Sequence, residues 1–134
     1  MPDRLRLGLL DTSVVISLEE VRVEELPLEV AVSAVTMAEL AAGPAAARDA
    51  AERARRQDRL QRAEATFDPL PFGIEAARAY GRVYSAVLDA GGQPPRRFAD
   101  LLIAAVAVSE GLPLVTRNGK DFSGLSDLLT LVEI

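Results

Sequence analysis

Short apolar runs alternate along the chain with longer segments of helical spacing. The run at residues 5–10 ends at an acid and predicts a buried first strand, and residues 29–33 predict a second. Residues 67–70 predict a weaker third strand, because prolines limit it. Residues 112–116 and 129–132 predict a fourth and a fifth strand.

Helical segments separate these strands in the first half of the chain. Residues 14–18 predict a short helix that the hydroxyl residues immediately before it cap. Residues 36–42 begin a second helix, which we expect Gly43-Pro44 to break. Pro44 then suits the first turn of a further helix, which runs to about residue 65.

Two more helices are predicted in the second half of the chain. One covers residues 73–90, and the other covers residues 98–110 and is apolar nearly all round, which indicates a buried central helix. Alternating strands and helices predict one α/β domain over residues 1–134, with a parallel sheet of about five strands and helices on both faces. In such sheets ligands bind at the C-terminal ends of the strands.

The residue types that the chain lacks narrow its chemistry. Its 134 residues contain no Cys and no His. Disulfides, thiolate zinc sites and Cys nucleophiles are therefore excluded, as are Ser-His-Asp triads and His-ligated metals. Any catalysis must depend on carboxylates, hydroxyls, Lys or Arg, or on a metal held by oxygen atoms.

Charge and apolar length bear on partners and location. The formal net charge of −5 argues against a nucleic-acid partner. Residues 48–62, however, hold six Arg against three acids, so a protein that is acidic overall can still present a local basic patch. Asp11 interrupts the apolar stretch near the start, which argues against a signal peptide. No apolar run reaches membrane-spanning length, so we expect a cytoplasmic protein without a membrane partner.

Two acids follow the first two predicted strands. Asp11 comes directly after the first, where it either caps a helix or, with the hydroxyls of Thr12 and Ser13, suits a hydrated hard cation. Glu39 follows the second, in a Thr36-x-x-Glu39 pattern that is typical of a capping box. The capping interpretation of Glu39 does not exclude a place at the same sheet edge as Asp11.

A third acid and a polar loop lie further along the chain. Asp100 stands in the first turn of the apolar helix, where it needs either a metal or a structural salt bridge from Arg96 or Arg97. The loop at residues 116–122 offers Asn118 as a ligand or a turn residue, and it contains a further acid, a hydroxyl and two cations.

Gathering these acids at one sheet edge would require a cation. Two carboxylates about 4 Å apart repel by roughly 4 kcal/mol at an effective dielectric constant near 20. Ligation by oxygen atoms alone favours Mg²⁺ or Mn²⁺. Such an ion activates water and stabilises charge on a phosphoryl oxygen, which permits phosphodiester hydrolysis without His.

Four motifs at these residues resemble, in order, those of PIN-domain nucleases of the VapBC toxin type: LLDTSVVISL, SAVTMAEL, RRFADLLIAAVA and VTRNGKDF. The resemblance implies that Asp11, Glu39 and Asp100 hold the metal. It leaves open whether Asn118 or Asp121 completes the catalytic site. It also implies accessory hydroxyls, at Ser13, Thr36 and Thr116.

The same resemblance implies a metal-dependent endoribonuclease that uses Mg²⁺ or Mn²⁺ to cut transfer or ribosomal RNA. A small protein antitoxin would restrain it, with Leu18, Met37 and Leu40 as candidate contacts, and the toxin itself would be a homodimer. Arginines are candidate contacts for RNA, at Arg53, Arg56, Arg96, Arg97 and Arg117. For any single Arg of the 48–62 helix, a solvated helix with internal ion pairs is the favoured alternative.

Two other classes of protein share parts of this pattern. A receiver domain of a signalling pathway also has a parallel sheet, clustered acids and Mg²⁺. Its first strand, however, should end in a pair of acids, and here only Asp11 is present. A catalytically silent module that only binds RNA or a partner is the second alternative, and the intact acids argue against it.

Overall fold

The computed structural model describes residues 4–94 and 98–134. A strand, a helix and a second strand are followed by four consecutive helices and two further strands, and short 3₁₀ turns lie at Leu18–Glu20, Val23–Glu25 and Gly119–Phe122. The regular elements are β1 (Leu7–Leu10), α1 (Thr12–Ile16), β2 (Glu29–Ala31), α2 (Ala34–Ala46), α3 (Ala50–Thr66), α4 (Ile74–Asp89), α5 (Phe98–Glu110), β3 (Leu114–Thr116) and β4 (Leu131–Glu133).

The strands form one parallel sheet in the order β2-β1-β3-β4. The predicted α/β class and parallel sheet are confirmed, with four strands in the described residues instead of about five. The expected strand at residues 67–70 is reduced to a single bridge between Ser33 and Leu70. Pro69 and Pro71 flank this bridge, and because proline has no N–H to donate, a longer ladder cannot form there.

Side chains of the two central strands point to opposite faces of the sheet. Leu9 and Leu114 lie in a core with α4 and α5, whereas Leu10 and Val115 lie in a second core with α1, α2 and α3. All four are fully buried. Because successive strand residues alternate in direction, two adjacent apolar positions require cover on both faces, and the prediction of helices on both sides is confirmed.

Helix α5 is the buried central helix that its composition predicted. Its buried residues are Leu101, Ile103, Ala104, Ala105, Val106 and Ala107. Small side chains on α4, including Ala76 and Ala79, face this helix in the same core. Among the helices of the described residues, none is both long and apolar enough to cross a bilayer.

The boundary between α2 and α3 differs from the expectation. Gly43-Pro44 does not break the helix, since Pro44 lies inside the last turn of α2 and α3 begins only at Ala50. The side chain of Asp49 accepts a hydrogen bond from the Glu52 backbone N–H at 2.8 Å. This N-cap satisfies an otherwise unpaired amide and fixes the start of α3, which explains why the helix does not begin at the proline.

Candidate active site

Asp11 and Thr116 meet at the C-terminal edge of the sheet because they follow and end the neighbouring strands β1 and β3. The Asp11 side chain is only 3% exposed, and Thr116 is fully buried. The Thr116 Oγ1 donates to Asp11 Oδ2 at 2.6 Å, and the Ser13 Oγ donates to Asp11 Oδ1 at 2.5 Å. Asp11, Ser13 and Thr116 therefore form a carboxylate–hydroxyl cluster at the strand ends.

Asp11 also begins the first helix. Its Oδ1 accepts a bond from the Val14 backbone N–H at 3.3 Å, so Asp11 is the N-cap of α1. The expectation that Thr12 and Ser13 cap this helix is wrong, because Asp11 accepts the bond from the first-turn amide. Within the described residues Asp11 has no ion-pair partner, so its buried carboxylate is surrounded by neutral donors only.

The loop after β3 is attached to this cluster through its backbone. The Arg117 N–H donates to Ser13 Oγ at 3.2 Å, and the Asn118 N–H donates to Thr116 Oγ1 at 3.0 Å. The Asn118 side chain is exposed, while Asp121 lies one turn further along and is half-buried. The structure thus places the Asn118 backbone directly beside a partner of Asp11.

Glu39 lies on the exposed side of α2 and reaches toward α1. Its Oε1 accepts a bond from Thr12 Oγ1 at 2.6 Å, and Thr12 Oγ1 lies 3.0 Å from Thr36 Oγ1. The predicted Thr36–Glu39 capping box is wrong, because α2 begins earlier. Ser33 is its N-cap, and the Ser33 hydroxyl accepts from the Thr36 N–H at 3.1 Å.

The three predicted metal-binding acids are not drawn into one closed group. Asp11 turns toward hydroxyls, Glu39 toward Thr12, and Asp100 lies half-buried in the first turn of α5. Across residues 4–94 and 98–134, no three acidic side chains lie close enough to form a ready metal site. Mutual repulsion of carboxylates favours this separation.

The candidate RNA-binding arginines have structural partners. Arg53 donates to the Pro44 carbonyl at 3.3 Å and Arg56 to the Gly43 carbonyl at 2.9 Å, so both link α3 to the end of α2. Arg117 forms an ion pair with Glu20 at 3.1 Å at the edge of the acidic site. The other two candidates, at positions 96 and 97, lie outside the described residues.

Helix α3 contains the internal ion pairs that the alternative interpretation of its arginines predicted. Glu52 accepts bonds from Arg55 at 2.6 Å and from Arg56 at 3.0 Å. These hydrogen bonds, first from Arg55 and then from Arg56, lower the pKa of the Glu52 carboxyl from its ordinary value of 4.5. Arg62 pairs in the same way with Asp58.

The atoms at the strand ends suit a hard divalent cation. Carboxylate and hydroxyl oxygens are the ligands that Mg²⁺ and Mn²⁺ favour. A carboxylate offers about four lone-pair positions. At Asp11 the donors are Ser13, Val14 and Thr116, so acceptor capacity is left on Oδ2. A buried charge that keeps acceptor capacity, and that has no cationic partner among residues 4–94 and 98–134, fits a metal ligand.

The fold and this site define a small parallel α/β domain with a carboxylate–hydroxyl centre at the C-terminal edge of its sheet. The family model described as "PIN domain" matches residues 8–128. The chain belongs to the PIN-domain family. A receiver domain, the first alternative from sequence, is therefore rejected.

Individual relatives agree with the predicted toxin branch. The chain is 40% identical over 121 residues to Ribonuclease VapC5 of Mycobacterium tuberculosis, which covers 88% of this chain and 87% of that protein. It is 29% identical to Ribonuclease VapC of Rickettsia bellii, over 93% of this chain and 96% of that one. The resemblance to VapC-type PIN proteins is confirmed.

Solved structures show the same likeness in three dimensions. The crystal structure of VapBC-5, a toxin–antitoxin system of Mycobacterium tuberculosis, contains a chain that matches with a TM-score of 0.85 and 34% identity. The match covers 96% of this chain and 99% of that chain. A chain of FitAcB from Neisseria gonorrhoeae matches with a TM-score of 0.69 and 26% identity, over 95% and 96%.

Proposed function

We propose that this protein is a divalent-metal-dependent endoribonuclease toxin of the VapC kind, which hydrolyses phosphodiester bonds of transfer or ribosomal RNA in the cytoplasm. The observation that carries the proposal is Asp11, a buried carboxylate at the strand ends that neutral donors surround. Relatives that share 29–40% of the sequence over nearly its whole length are named ribonucleases, which supports the same activity.

The metal ligands in this proposal are Asp11, Glu39 and Asp100, completed by Asn118 or Asp121. Bound Mg²⁺ or Mn²⁺ would lower the pKa of a water molecule and stabilise negative charge on the phosphoryl oxygen. The chain itself holds the Asp11 carboxylate in a fixed orientation through two short hydroxyl bonds. Fixed orientation matters because a ligand that must first order its side chain loses affinity to conformational entropy.

RNA cleavage by three nearly isosteric variants tests the proposal. Asp11→Asn, Glu39→Gln and Asp100→Asn each remove one negative charge and should reduce Mg²⁺- or Mn²⁺-dependent cleavage to background, with circular dichroism unchanged. Asp89→Asn, an exposed acid at the end of α4, is the matched control and should cleave normally. Full cleavage by all three site variants would refute the proposal, and RNA binding without any cleavage by wild type would favour the silent binding module.

We place RNA contact at Arg117, because its side chain is exposed and its backbone N–H donates to Ser13, a partner of Asp11. The guanidinium groups of Arg53 and Arg56 donate to carbonyl oxygens at the end of α2, so we assign these arginines a structural role. Arg117→Gln should weaken RNA binding. It should also reduce the slope of log K against log salt concentration by about one unit, which corresponds to the loss of one phosphate contact. Arg78→Gln, an exposed arginine on α4, should leave both unchanged; equal slopes for the two variants would remove Arg117 from the interface.

An antitoxin segment is the proposed inhibitor, since the matched solved structures are toxin–antitoxin complexes. A groove of about 380 Å³ between α1 and α3 has an apolar floor that includes Val15, Leu18 and Phe67. Leu40 is only 5% exposed, so of the three candidate contacts it offers an antitoxin the least surface. Leu18 and Met37 are half-buried and stay accessible.

The inhibitor would also bring an Arg to the acids, because a guanidinium forms bidentate pairs with carboxylates and competes with a metal. Leu18→Asp should weaken antitoxin binding measured by calorimetry while RNA cleavage by the free toxin persists. Leu28→Asp, on an exposed residue before β2, adds the same single negative charge and is the matched control. Antitoxin binding that leaves Mn²⁺ affinity unchanged would refute occlusion of the site.

A homodimer is proposed through the exposed apolar side chains of α4 and the start of α5. Tyr84, Leu88 and Phe98 are 37%, 52% and 55% exposed. Tyr80 contacts the rings of Tyr84 and Phe98, and Leu88 lies one turn after Tyr84 on α4. Adjacent exposed apolar side chains of this size mark interaction surfaces. Leu88→Arg should shift the mass measured by sedimentation from dimer to monomer; a wild-type monomer would refute this assignment.

A further inference from the structure

A chain of hydroxyl groups connects the buried start of α2 to the Glu39 carboxylate. Ser33 and Thr36 are fully buried, and their hydroxyl oxygens lie 3.5 Å apart. Thr36 Oγ1 lies 3.0 Å from Thr12 Oγ1, which in turn lies 2.6 Å from Glu39 Oε1. Thr12 belongs to α1 and immediately follows Asp11, whereas Thr36 and Glu39 belong to α2. Thr12 therefore links the two helices.

The direction of these hydrogen bonds follows from counting protons. An ionised carboxylate can only accept, so Thr12 must donate its single hydroxyl proton to Glu39. Thr12 then has no proton left for Thr36, and Thr36 must donate to Thr12. Ser33 donates to Thr36 in turn. Each hydroxyl in such a chain polarises the next, which strengthens the final bond to the carboxylate.

We propose that Thr12 is a positioning residue that orients Glu39 toward the metal, which deepens and rests on the proposed nuclease function. Glu39 is exposed and has several rotatable bonds, so without a partner its carboxylate would sample many rotamers. Thr12 fixes one oxygen of that carboxylate. Because Thr12 is the chain neighbour of Asp11, it sets the Glu39 carboxylate relative to the buried acid.

Mn²⁺ binding to the isolated protein, followed by electron paramagnetic resonance, is the primary measurement. Thr12→Val keeps the shape of the side chain and removes the hydroxyl, and it should weaken Mn²⁺ binding about 10-fold, the lower end of the range for ligand-orienting partners. Thr12→Ser restores the donor and should stay within about 2-fold of wild type on the same basis. Thr66→Val, which removes a hydroxyl bonded to the Arg62 carbonyl, is the matched control.

A double-mutant cycle separates orientation of Glu39 from a general structural effect. In a Glu39→Ala background, Thr12→Val should change Mn²⁺ affinity less than about 2-fold, because the group that it orients is gone. An equal loss in both backgrounds would overturn the proposal. If Thr12→Val fails to fold, Thr12→Ala serves in the same cycle, and unchanged affinity in that variant would also overturn it.

RNA cleavage measured in parallel distinguishes this proposal from the proposed function. Thr12→Val should require more Mn²⁺ for half-maximal cleavage and approach wild-type rate at saturating metal, whereas a purely structural defect would lower the rate at every concentration. Absence of cleavage by wild type overturns the nuclease proposal. A wild-type Mn²⁺ requirement for Thr12→Val overturns the positioning role alone.

Discussion

Removal of the Thr116 hydroxyl tests how the buried Asp11 carboxylate is stabilised. Thr116→Val is close in shape, and it removes the 2.6 Å bond to Asp11 Oδ2. It also removes the acceptor of the Asn118 N–H, a loss that is the same whichever residue stands at position 11. A hydrogen bond to a charged group contributes about 1.5–3 kcal/mol, and burial of both partners places this one in the upper half of that range. We therefore expect the free energy of unfolding to fall by about 2–3 kcal/mol.

Thermal and urea unfolding, followed by far-ultraviolet circular dichroism, measure this loss. An unfolding entropy of about 2.1 cal/mol/K per residue gives roughly 0.28 kcal/mol/K for a chain of 134 residues, so Tm should fall by about 7–11 °C. In an Asp11→Asn background the bond is neutral, and the same substitution should cost only about 1 kcal/mol. An equal cost in both backgrounds would refute the argument that the hydroxyl stabilises a buried charge.

Three other predictions follow from particular contacts. Asn118→Ala should weaken Mn²⁺ binding measured by calorimetry more than Asp121→Ala does, because Asn118 lies nearer the strand end; the reverse order would make Asp121 the ligand. Glu52→Gln should reduce stability to urea near neutral pH. Because its arginine partners lower the folded-state pKa of Glu52 below the ordinary value of 4.5, this difference should be present above that value and be lost as the pH falls through the lowered pKa; a constant difference would contradict the ion-pair origin. Gly8→Ala should destabilise by about 1–3 kcal/mol in the same urea assay, since a Cβ would lie 2.9 Å from Pro27 Cγ; unchanged stability would show that this contact can relax.

The sequence predicted the elements whose apolar pattern is strong. It was wrong at boundaries that depend on which polar side chain caps a helix and on where proline removes a backbone donor. Helix α5 was predicted with the bounds that the structure has, because its apolar residues can only be buried. The start of α3 was missed because Gly43-Pro44 is a strong breaker, while the weaker Asp49-x-x-Glu52 cap sets the real boundary. The strand predicted at residues 67–70 is only a single bridge, because proline limits ladder formation there more than apolar content favours it.

For the candidate site, the ends of the predicted strands gave the positions of the polar residues but not the hydrogen bonds that these residues form. Placement of Asp11 and Thr116 at one edge follows from the parallel sheet, and the structure has both there. The Thr12–Glu39 bond could not be read from sequence, because it depends on how α1 packs beside α2. A useful signal was present in the Ser33-x-x-Thr36 spacing, which is typical of a helix N-cap and would have moved the start of α2 earlier.

The order of strands in the sheet has a consequence for synthesis on the ribosome. Asp11 and Thr116 lie 105 positions apart in the chain, and β3 inserts beside β1 only after all five helices have been made. A nascent chain therefore carries Asp11 without its second hydroxyl partner until translation has passed the third strand. Long-range pairing of this kind forms late, since loop closure must precede it. Assembly of the carboxylate–hydroxyl cluster would then be delayed until nearly the whole domain has emerged.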